Sequence, residues 1–200
     1  MSTVEAARMA NDGVDGPARS DARRNRDHLL TAGRAVVAEQ GTDASLREVA
    51  RRAGVGIGTL YRHFPNREAL LEALLGQGFD DLTARAAELG DNQDAGAALV
   101  TWARELAVGS TLYKGLPASV MDALHNPRSG LHASCEGIRA AAAALLTRAQ
   151  RAGHIRPDLR PEELLATVSA MAWAAKHADH PDEVTDRFLS LLLEGLSVRR

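Results

Sequence analysis

The stretch SLREVARRAGVGIGTLYRHF, residues 45–64, decides the fold of this 200-residue chain. Apolar residues recur at helical spacing on both sides of the break Gly54-Val55-Gly56. Two short helices joined by a tight turn that contains glycine are the elements of a helix-turn-helix. We expect the two helices to share a small core, formed by Leu46, Val49, Ala50, Leu60 and Phe64.

Local signals mark the ends of these helices. Ser45 and Glu48 predict a capping box, in which each side chain binds the other residue's backbone amide. Gly54 permits the turn, and Gly56 is the predicted N-cap of the second helix, a role that glycine tolerates. Gly41 is predicted to close the preceding helix in the left-handed conformation.

The second helix presents an outward face of polar side chains, namely Thr59, Tyr61, Arg62 and His63. Such groups suit a DNA backbone, because about half or more of protein–DNA hydrogen bonds go to phosphate or sugar. Arg47, near the start of the first helix, is placed to reach a guanine edge, which is the commonest specific contact of arginine. The alternative is that Arg47, Tyr61 and His63 are ordinary surface residues on short helices.

Charge is distributed unevenly, although the chain carries a net charge of only −2. Residues 19–67 hold ten arginines against five carboxylates, and residues 68–200 hold 13 basic against 18 acidic side chains. A small basic module attached to a larger acidic one is one interpretation, and accidental variation is the other. The arginines at the start of the basic segment form either a flexible arm for a minor groove or a solvated helix start. They are Arg19, Arg23, Arg24 and Arg26.

The rest of the chain shows helical periodicity and almost no strand signal. Residues 1 to about 20 are small, polar and aperiodic, which predicts a disordered tail. A fourth helix begins at Arg67 and runs to about Leu89, and later helices are expected at about 94–109, 117–125, 128–152, 161–178 and 182–197. The sequence therefore predicts an all-α fold with a small N-terminal three-helix head and a larger helical body.

The run from Ser45 to Leu71 resembles the DNA-binding region of tetracycline-repressor (TetR) family regulators. A Gly-Thr-Leu-Tyr-x-His-Phe core followed by an x-x-Lys/Arg-Glu-x-Leu-Leu helix start is highly specific for that family, and the resemblance covers about residues 24–85. It implies a DNA-binding transcriptional regulator. The helix-turn-helix domain would then span residues 21–67, and residues 68–200 would form a ligand-binding and dimerisation domain.

The family pattern also implies which residues contact double-stranded DNA. Phosphate contacts are expected from Thr59, Tyr61, His63 and Arg67, and base contacts from Arg47 and the first turn of the recognition helix. Members often have serine or lysine where this chain has Gly56-Ile57, so few side chains of that turn can contact base edges. DNA shape or an N-terminal arm is therefore expected to add specificity. The full expected set is Arg47, Gly56, Ile57, Gly58, Thr59, Tyr61, Arg62, His63 and Arg67.

The resemblance further implies a homodimer formed through the last two helices, about 161–178 and 182–197. Two apolar stripes are compatible with it: Leu164, Val168, Met171, Ala172 and Ala175, and then Phe188, Leu191, Leu192 and Leu196. They would either pair twofold into a four-helix bundle or pack inside one subunit. Two heads that read half-sites one or more turns apart, about 34–36 Å per turn, predict a near-palindromic operator.

A pocket for an unidentified small-molecule effector is expected among the middle helices. Large apolar side chains with a few polar groups are typical of such sites. The candidates, each of which is otherwise ordinary core, are Phe79, Leu82, Trp102, Leu106, Tyr113, Met121, His125, Cys135, Arg139 and Trp173. In the fourth helix, Gly76 and Gly78 form either a pivot between head and body or a place where another helix packs closely. Repression is the commoner outcome for such regulators, and activation stays open.

Other classes of function have weaker support. His132 with Cys135, and His177 with His180, could each place two metal ligands on one helical face, but catalytic zinc needs a third protein ligand. We therefore expect no metal, no cofactor and no enzyme activity. A helical interaction module without DNA binding would leave the basic head unexplained.

The expected compartment is the cytoplasm, with no membrane partner. No apolar run approaches the roughly 20 residues of a membrane span, and the N-terminal stretch has no apolar core that could serve as a secretory signal. The single cysteine, Cys135, excludes an intramolecular disulfide.

Overall fold

The computed structural model describes residues 17–110, 115–175 and 178–196, which form nine α-helices and no strand. The first four are α1 Pro17–Gln40, α2 Leu46–Arg52, α3 Ile57–His63 and α4 Arg67–Gly90. The other five are α5 Ala95–Ser110, α6 Ala118–His125, α7 Gly130–Arg151, α8 Pro161–Ala175 and α9 Pro181–Leu196. The predicted all-α class is confirmed, and the helix bounds agree with the predicted ones to within one turn. None of the described helices is long and apolar enough to cross a membrane.

The helices pack around two apolar clusters. The head cluster joins α1, α2, α3 and the first half of α4, and Leu60 and Phe64 are fully buried in it. The body cluster joins the second half of α4 to α5, α7, α8 and α9 around the buried Trp102. Val120 of α6 and Leu131 of α7 also lie in the head cluster. The body helices therefore help to hold the head in place.

Helix α4 belongs to both clusters. Residues 70–75 supply four buried leucines to the head cluster, and Ala86 and Leu89 lie in the body cluster. The predicted domain boundary between residues 67 and 68 falls at the start of α4, whereas the packing joins its first two turns to the head. A shift of α4 would therefore move buried residues in both the head cluster and the body cluster.

Glycines set the ends of the short helices, as predicted. Gly41 has a φ of +77° and Gly54 a φ of +68°, values that favour glycine because a Cβ would strain the backbone. Gly56 is the N-cap of α3. The breaks around the helix-turn-helix therefore follow from the sequence.

The predicted capping box is wrong. Ser45 is the N-cap of α2, but its side chain makes no capping hydrogen bond. The Gln40 side-chain oxygen, Oε1, accepts a hydrogen bond from the Ser45 amide at 3.3 Å. Glu48 binds Arg51 and Arg52 instead, because two guanidinium cations add a Coulomb attraction that a neutral amide does not offer.

The N-terminal end of α1 corrects a second prediction. The helix begins at Pro17, so residues 17–20 are not the disordered tail that was predicted, and residues 1–16 lie outside the described part of the chain. Arg19, Arg23, Arg24 and Arg26 all lie within α1. The backbone of this segment is therefore helical and not a flexible arm, and its contact with a minor groove stays a prediction.

Candidate nucleic-acid interface and cavity

Helix α3 is held on one side and open on the other. Leu60 and Phe64 are buried in the head cluster and fix its orientation. Tyr61 is 50% exposed, Arg62 is exposed, and Thr59 and His63 are half-buried. The residues predicted to face outward are therefore reachable from outside the subunit.

A hydrogen bond orders part of this face. Arg62 Nη2 donates to Thr59 Oγ1 at 2.9 Å. Because a guanidinium can only donate, the Thr59 hydroxyl keeps its own proton for another acceptor. A cation and a hydroxyl donor side by side suit a phosphate oxygen.

The first turn of α3 is open. Within the described residues, a Cβ added at Gly56 or Gly58 would meet no atom within 4 Å. Intramolecular packing therefore does not require glycine at either position. Ile57, between them, is exposed, so this turn presents backbone and one apolar side chain to any partner.

The arginines of α2 differ in their partners. Glu48 Oε1 lies 2.6 Å from Arg51 Nη2 and 2.7 Å from Arg52 Nε, and Glu39 binds Arg52 Nη1 at 2.6 Å. Hydrogen bonds from Arg51 and then Arg52 lower the pKa of Glu48 to about 2. Arg47 is exposed and pairs with no carboxylate among the described residues. Its guanidinium is therefore available to an external acceptor.

Two further arginines flank α3. Arg67 Nη1 lies 3.3 Å from Asp43 Oδ1, and Arg67 Nε is buried without a hydrogen-bond partner in the described structure. The Arg26 guanidinium lies 4.8 Å from the centre of the Phe64 ring, in a cation–π arrangement. The sequence analysis did not predict this contact, because 38 positions separate Arg26 from Phe64 in the sequence. Arg26 places a cation beside Phe64, the residue that follows the last residue of α3.

A cavity of about 830 Å³ opens between α4, α5, α6 and α8. This volume lies within the range of small-molecule sites, about 300–1,000 Å³. Four predicted residues line it, namely Phe79, Leu82, Leu106 and Met121. The lining residues that the sequence analysis missed are Arg34, Leu75, Gly78, Asp81, Arg85, Glu105, Val108, Gly109, Ser110, Leu116, Leu124 and Ser169. The one signal for them was the polar residues that interrupt the apolar stripes of α4, α5 and α8.

The other predicted pocket residues lie elsewhere. The assignments of Trp102, His125, Cys135, Arg139 and Trp173 are wrong for this cavity, and Tyr113 lies outside the described residues. Trp102 is fully buried in the body cluster, where its indole N–H donates to the backbone carbonyl of Leu82 at 2.8 Å. Trp173 is 58% exposed on α8. Size and aromatic character therefore did not distinguish pocket from core or from outer surface.

The predicted stripe on α8 points into its own subunit. Its members Leu164, Val168, Ala172 and Ala175 are fully buried. Its assignment to a partner subunit is therefore wrong, and packing inside one subunit is correct. Trp173 of α8 and Leu191 of α9, which is 48% exposed, instead lie at the outside of the subunit. The exposed apolar side chains of these two helices are called here the α8–α9 face.

Six large apolar side chains are exposed in the described part of the chain, namely Ile57, Tyr61, Val108, Met121, Trp173 and Leu191. The first two lie on α3, the next two line the cavity, and the last two form the α8–α9 face. Exposed apolar groups that cluster mark sites of interaction. The molecule therefore presents three surfaces suited to partners or ligands.

Of the three histidines considered as metal ligands, His132 has another partner, His180 is exposed and His177 is not described. His132 Nδ1 lies 2.8 Å from the Leu124 carbonyl oxygen and donates to it, and His177 lies outside the described residues. No group of three His, Cys, Asp or Glu side chains within the described ranges could hold a metal ion.

Two family models match the chain. Residues 29–74 match the model described as bacterial regulatory proteins of the tetR family. Residues 94–198 match the C-terminal domain of SbtR-like transcriptional regulators. This chain belongs to the TetR family. The members of this family and the relatives below are transcriptional regulators, not enzymes.

Individual relatives match this TetR-family chain to different extents. The crystal structure of the TetR regulator SCO0520 from Streptomyces coelicolor is 34% identical, with a TM-score of 0.71 over 88% of this chain and 99% of that one. The repressor KstR2 of Rhodococcus jostii is 26% identical over 86% of this chain and 91% of its own length. The repressor KstR of the same organism is 36% identical, but over only 42% of this chain and 39% of its own length. The chain thus spans well under half of KstR.

Proposed function

We propose that this TetR-family chain is a homodimeric repressor that binds a near-palindromic operator and is released by a small molecule. The observation that carries the proposal is the α3 face, which presents Tyr61, Arg62 and a free Thr59 hydroxyl proton outward. The relatives KstR and KstR2, which are named as repressors, support the direction of regulation. Since such a regulator acts on DNA, we place it in the cytoplasm.

On the DNA, the residues of the head divide into two groups. Thr59, Tyr61 and His63 bind phosphates, because their donors lie along the outer side of α3. Arg67 also binds a phosphate, which replaces Asp43 as its partner. This exchange is possible because the Asp43 carboxylate is almost fully exposed. Arg47 reads a base edge, since no carboxylate within the described chain competes for it.

The dimer is proposed to form through the α8–α9 face. Trp173 and Leu191 are the large apolar side chains exposed there, and tryptophan is a frequent anchor of protein interfaces. A dimer also follows from the size of the head, since one α3 of two turns contacts few base pairs. Two heads related by a twofold axis would read two half-sites.

Release by a ligand requires contact between cavity and head, and α6 supplies it. The Thr42 hydroxyl, in the loop before α2, donates to the Gly115 carbonyl at 3.0 Å. Leu116 and Met121 line the cavity, while Val120 is buried in the head cluster. A ligand that shifts α6 would therefore disturb the head, with a coupling of about 1–3 kcal/mol.

Footprinting of the DNA that flanks its own coding region tests the proposal, because such regulators often control a neighbouring gene. The expected result is a protected near-palindrome that Tyr61→Phe weakens. Arg51→Ala is the matched control, since Glu48 already occupies Arg51. If no segment is protected, and if selection from random duplexes enriches nothing, the proposal is wrong.

A further inference from the structure

Every charged side chain that lines the cavity has a partner of opposite charge in the lining. Arg34 Nη2 lies 3.2 Å from Asp81 Oδ2, and Arg85 Nε lies 3.0 Å from Glu105 Oε1. The described lining therefore holds two cations and two anions, and its formal charge is zero.

A charged ligand would gain little there. Glu88 also binds Arg85 Nη1, at 2.8 Å, and the hydrogen bonds from Glu88 and Glu105 raise the pKa of Arg85. An anion would have to displace one of these carboxylates and leave it unpaired beside the ligand. A cation would have to draw a carboxylate from its arginine. Either exchange replaces one partly exposed ion pair with another, and such pairs each contribute little free energy.

The remaining surface of the cavity is mainly apolar. Leu75, Phe79, Leu82 and Leu106 come from α4 and α5, and Met121 from α6 is 42% exposed. An apolar ligand that covers these side chains would remove them from water, which contributes about 25 cal/mol for each Å² buried. The cavity therefore favours an uncharged and largely apolar molecule.

Two serines provide a polar point in this surface. Ser110 Oγ donates to the Leu106 carbonyl at 2.8 Å, so its only proton is engaged. It lies 3.3 Å from Ser169 Oγ, and the proton of that contact must then come from Ser169. Both oxygens keep lone pairs, so the serine pair presents acceptors and suits a ligand that donates.

We propose that the cavity binds an uncharged, mainly apolar molecule with one hydroxyl group, which donates to Ser169. The role of this molecule as the effector rests on the proposed function. Ser110 and Ser169 are then the residues that distinguish an alcohol from an ether or a carboxylate of the same size, whereas the balanced charges of the lining disfavour an ammonium group.

Four probes of ten-carbon size test this by calorimetric titration of the full chain at pH 7. They are 1-decanol, its isomer 1-methoxynonane, decanoate and decylammonium. We expect 1-decanol to bind at least tenfold more tightly than either charged probe. It should bind about fivefold more tightly than the ether, which is the size of effect that one hydrogen bond supports.

Variants assign the selectivity to residues. Ser169→Ala should remove the preference for 1-decanol over the ether, and Ser169→Cys, which keeps the volume but is a weak acceptor, should reduce it. Thr101→Ala is the control, because it removes a hydroxyl of α5 that, like that of Ser110, bonds a carbonyl one turn back, at 2.9 Å, but does not line the cavity. Thermal melting identifies any variant that does not fold.

Each contrary result overturns a stated part of the proposal. Tighter binding of decanoate or decylammonium would show that the site takes charged ligands. Equal binding of the ether and 1-decanol would contradict the proposed hydrogen bond from a ligand hydroxyl group. If no probe bound, the proposal of an apolar ligand would be wrong. Operator binding by the same samples is measured by fluorescence anisotropy. If the protein binds its operator but not the probes, the ligand proposal fails; if it does not bind an operator, the proposed function fails.

Discussion

Arginine residues have different partners in the two proposed recognition regions. On the head, Arg47 pairs with no carboxylate among the described residues. In the cavity, Arg34 and Arg85 are each held by a lining carboxylate. The first region suits an anion, and the second suits an uncharged molecule. The difference indicates that the number of arginines does not decide what a basic site binds. An arginine held by a carboxylate of the same lining is less available to an anion than Arg47, or than Arg67, whose partner Asp43 is 96% exposed and can return to water.

The same rule applies within a single helix. Arg51 and Arg52 follow Arg47 on α2, but Glu48 binds both of them and Glu39 binds Arg52 as well. The basic composition of the head therefore overstates the number of arginines that are available to DNA.

The largest expected effect tests whether two heads act together. Trp173→Glu combined with Leu191→Glu should convert the dimer to a monomer, because charges would enter an apolar interface. Loss of the second head should weaken operator binding by about a hundredfold or more. Sedimentation and anisotropy measure the two effects, and Glu183→Gln, on the exposed first turn of α9, is the control. A dimer that persists in the double variant would contradict the α8–α9 face.

Arg47→Ala is expected to have the next largest effect. Loss of a base contact should cost about 1–3 kcal/mol on the preferred operator and relax preference at one position of each half-site. Arg51→Ala should change little. The affinity of each variant for a panel of single-base operator variants measures these effects. Equal losses of affinity for Arg47→Ala and Arg51→Ala would contradict the claim that only the unpaired arginine is available to DNA.

Tyr61→Phe should have a smaller and uniform effect. Removing one phosphate hydrogen bond should cost about 1 kcal/mol, and the loss should be similar for all duplex sequences. The same operator panel serves as the measurement. If Arg47→Ala and Tyr61→Phe both weakened every sequence alike, the assignment of Arg47 to base readout would be wrong.

The glycines of α4 test how the two regions communicate. A Cβ at Gly76 would lie 3.7 Å from Ser134 Oγ and 3.9 Å from Leu131 Cδ1, which are ordinary contacts. Gly76→Ala should therefore fold. Gly78 lines the cavity, so the binding of 1-decanol to the double variant Gly76→Ala with Gly78→Ala is measured first. If α4 pivots there, the double variant should reduce, by about two- to threefold, the release of operator by 1-decanol, on the scale of allosteric coupling. Unaltered release would leave close packing as the role of these glycines.

The smallest expected effect concerns pH. Arg51 and Arg52 lower the pKa of Glu48 from 4.5 to about 2. The stabilisation from this depressed pKa is complete above pH 4.5 and is lost as the pH falls from there towards 2. Glu48→Gln should lower the melting temperature by a few degrees at pH 7, since exposed ion pairs contribute little. The gap to the wild type should close near pH 2, and a gap that widened on acidification would contradict this assignment.

The helix-turn-helix was predictable because its signals are local. Gly41, Gly54 and Gly56 set the helix ends, and the outward residues of α3 follow one another in the sequence. The cavity was predicted only in part, because its ion pairs join distant residues; Arg34 and Asp81 are 47 positions apart. The stripe on α8 was assigned to a partner because apolar periodicity shows that a face is buried but not what buries it.

The central claim is that the α3 face and the flanking Arg67 bind DNA phosphates, and a salt titration of duplex binding tests it most directly. The logarithm of the association constant should fall linearly with that of salt concentration, with a slope of about −0.9 for each neutralised phosphate. Arg67→Ala should make the slope less steep by about one for each head that contacts DNA. A slope near zero, or one that Arg67→Ala leaves unaltered, would contradict this account.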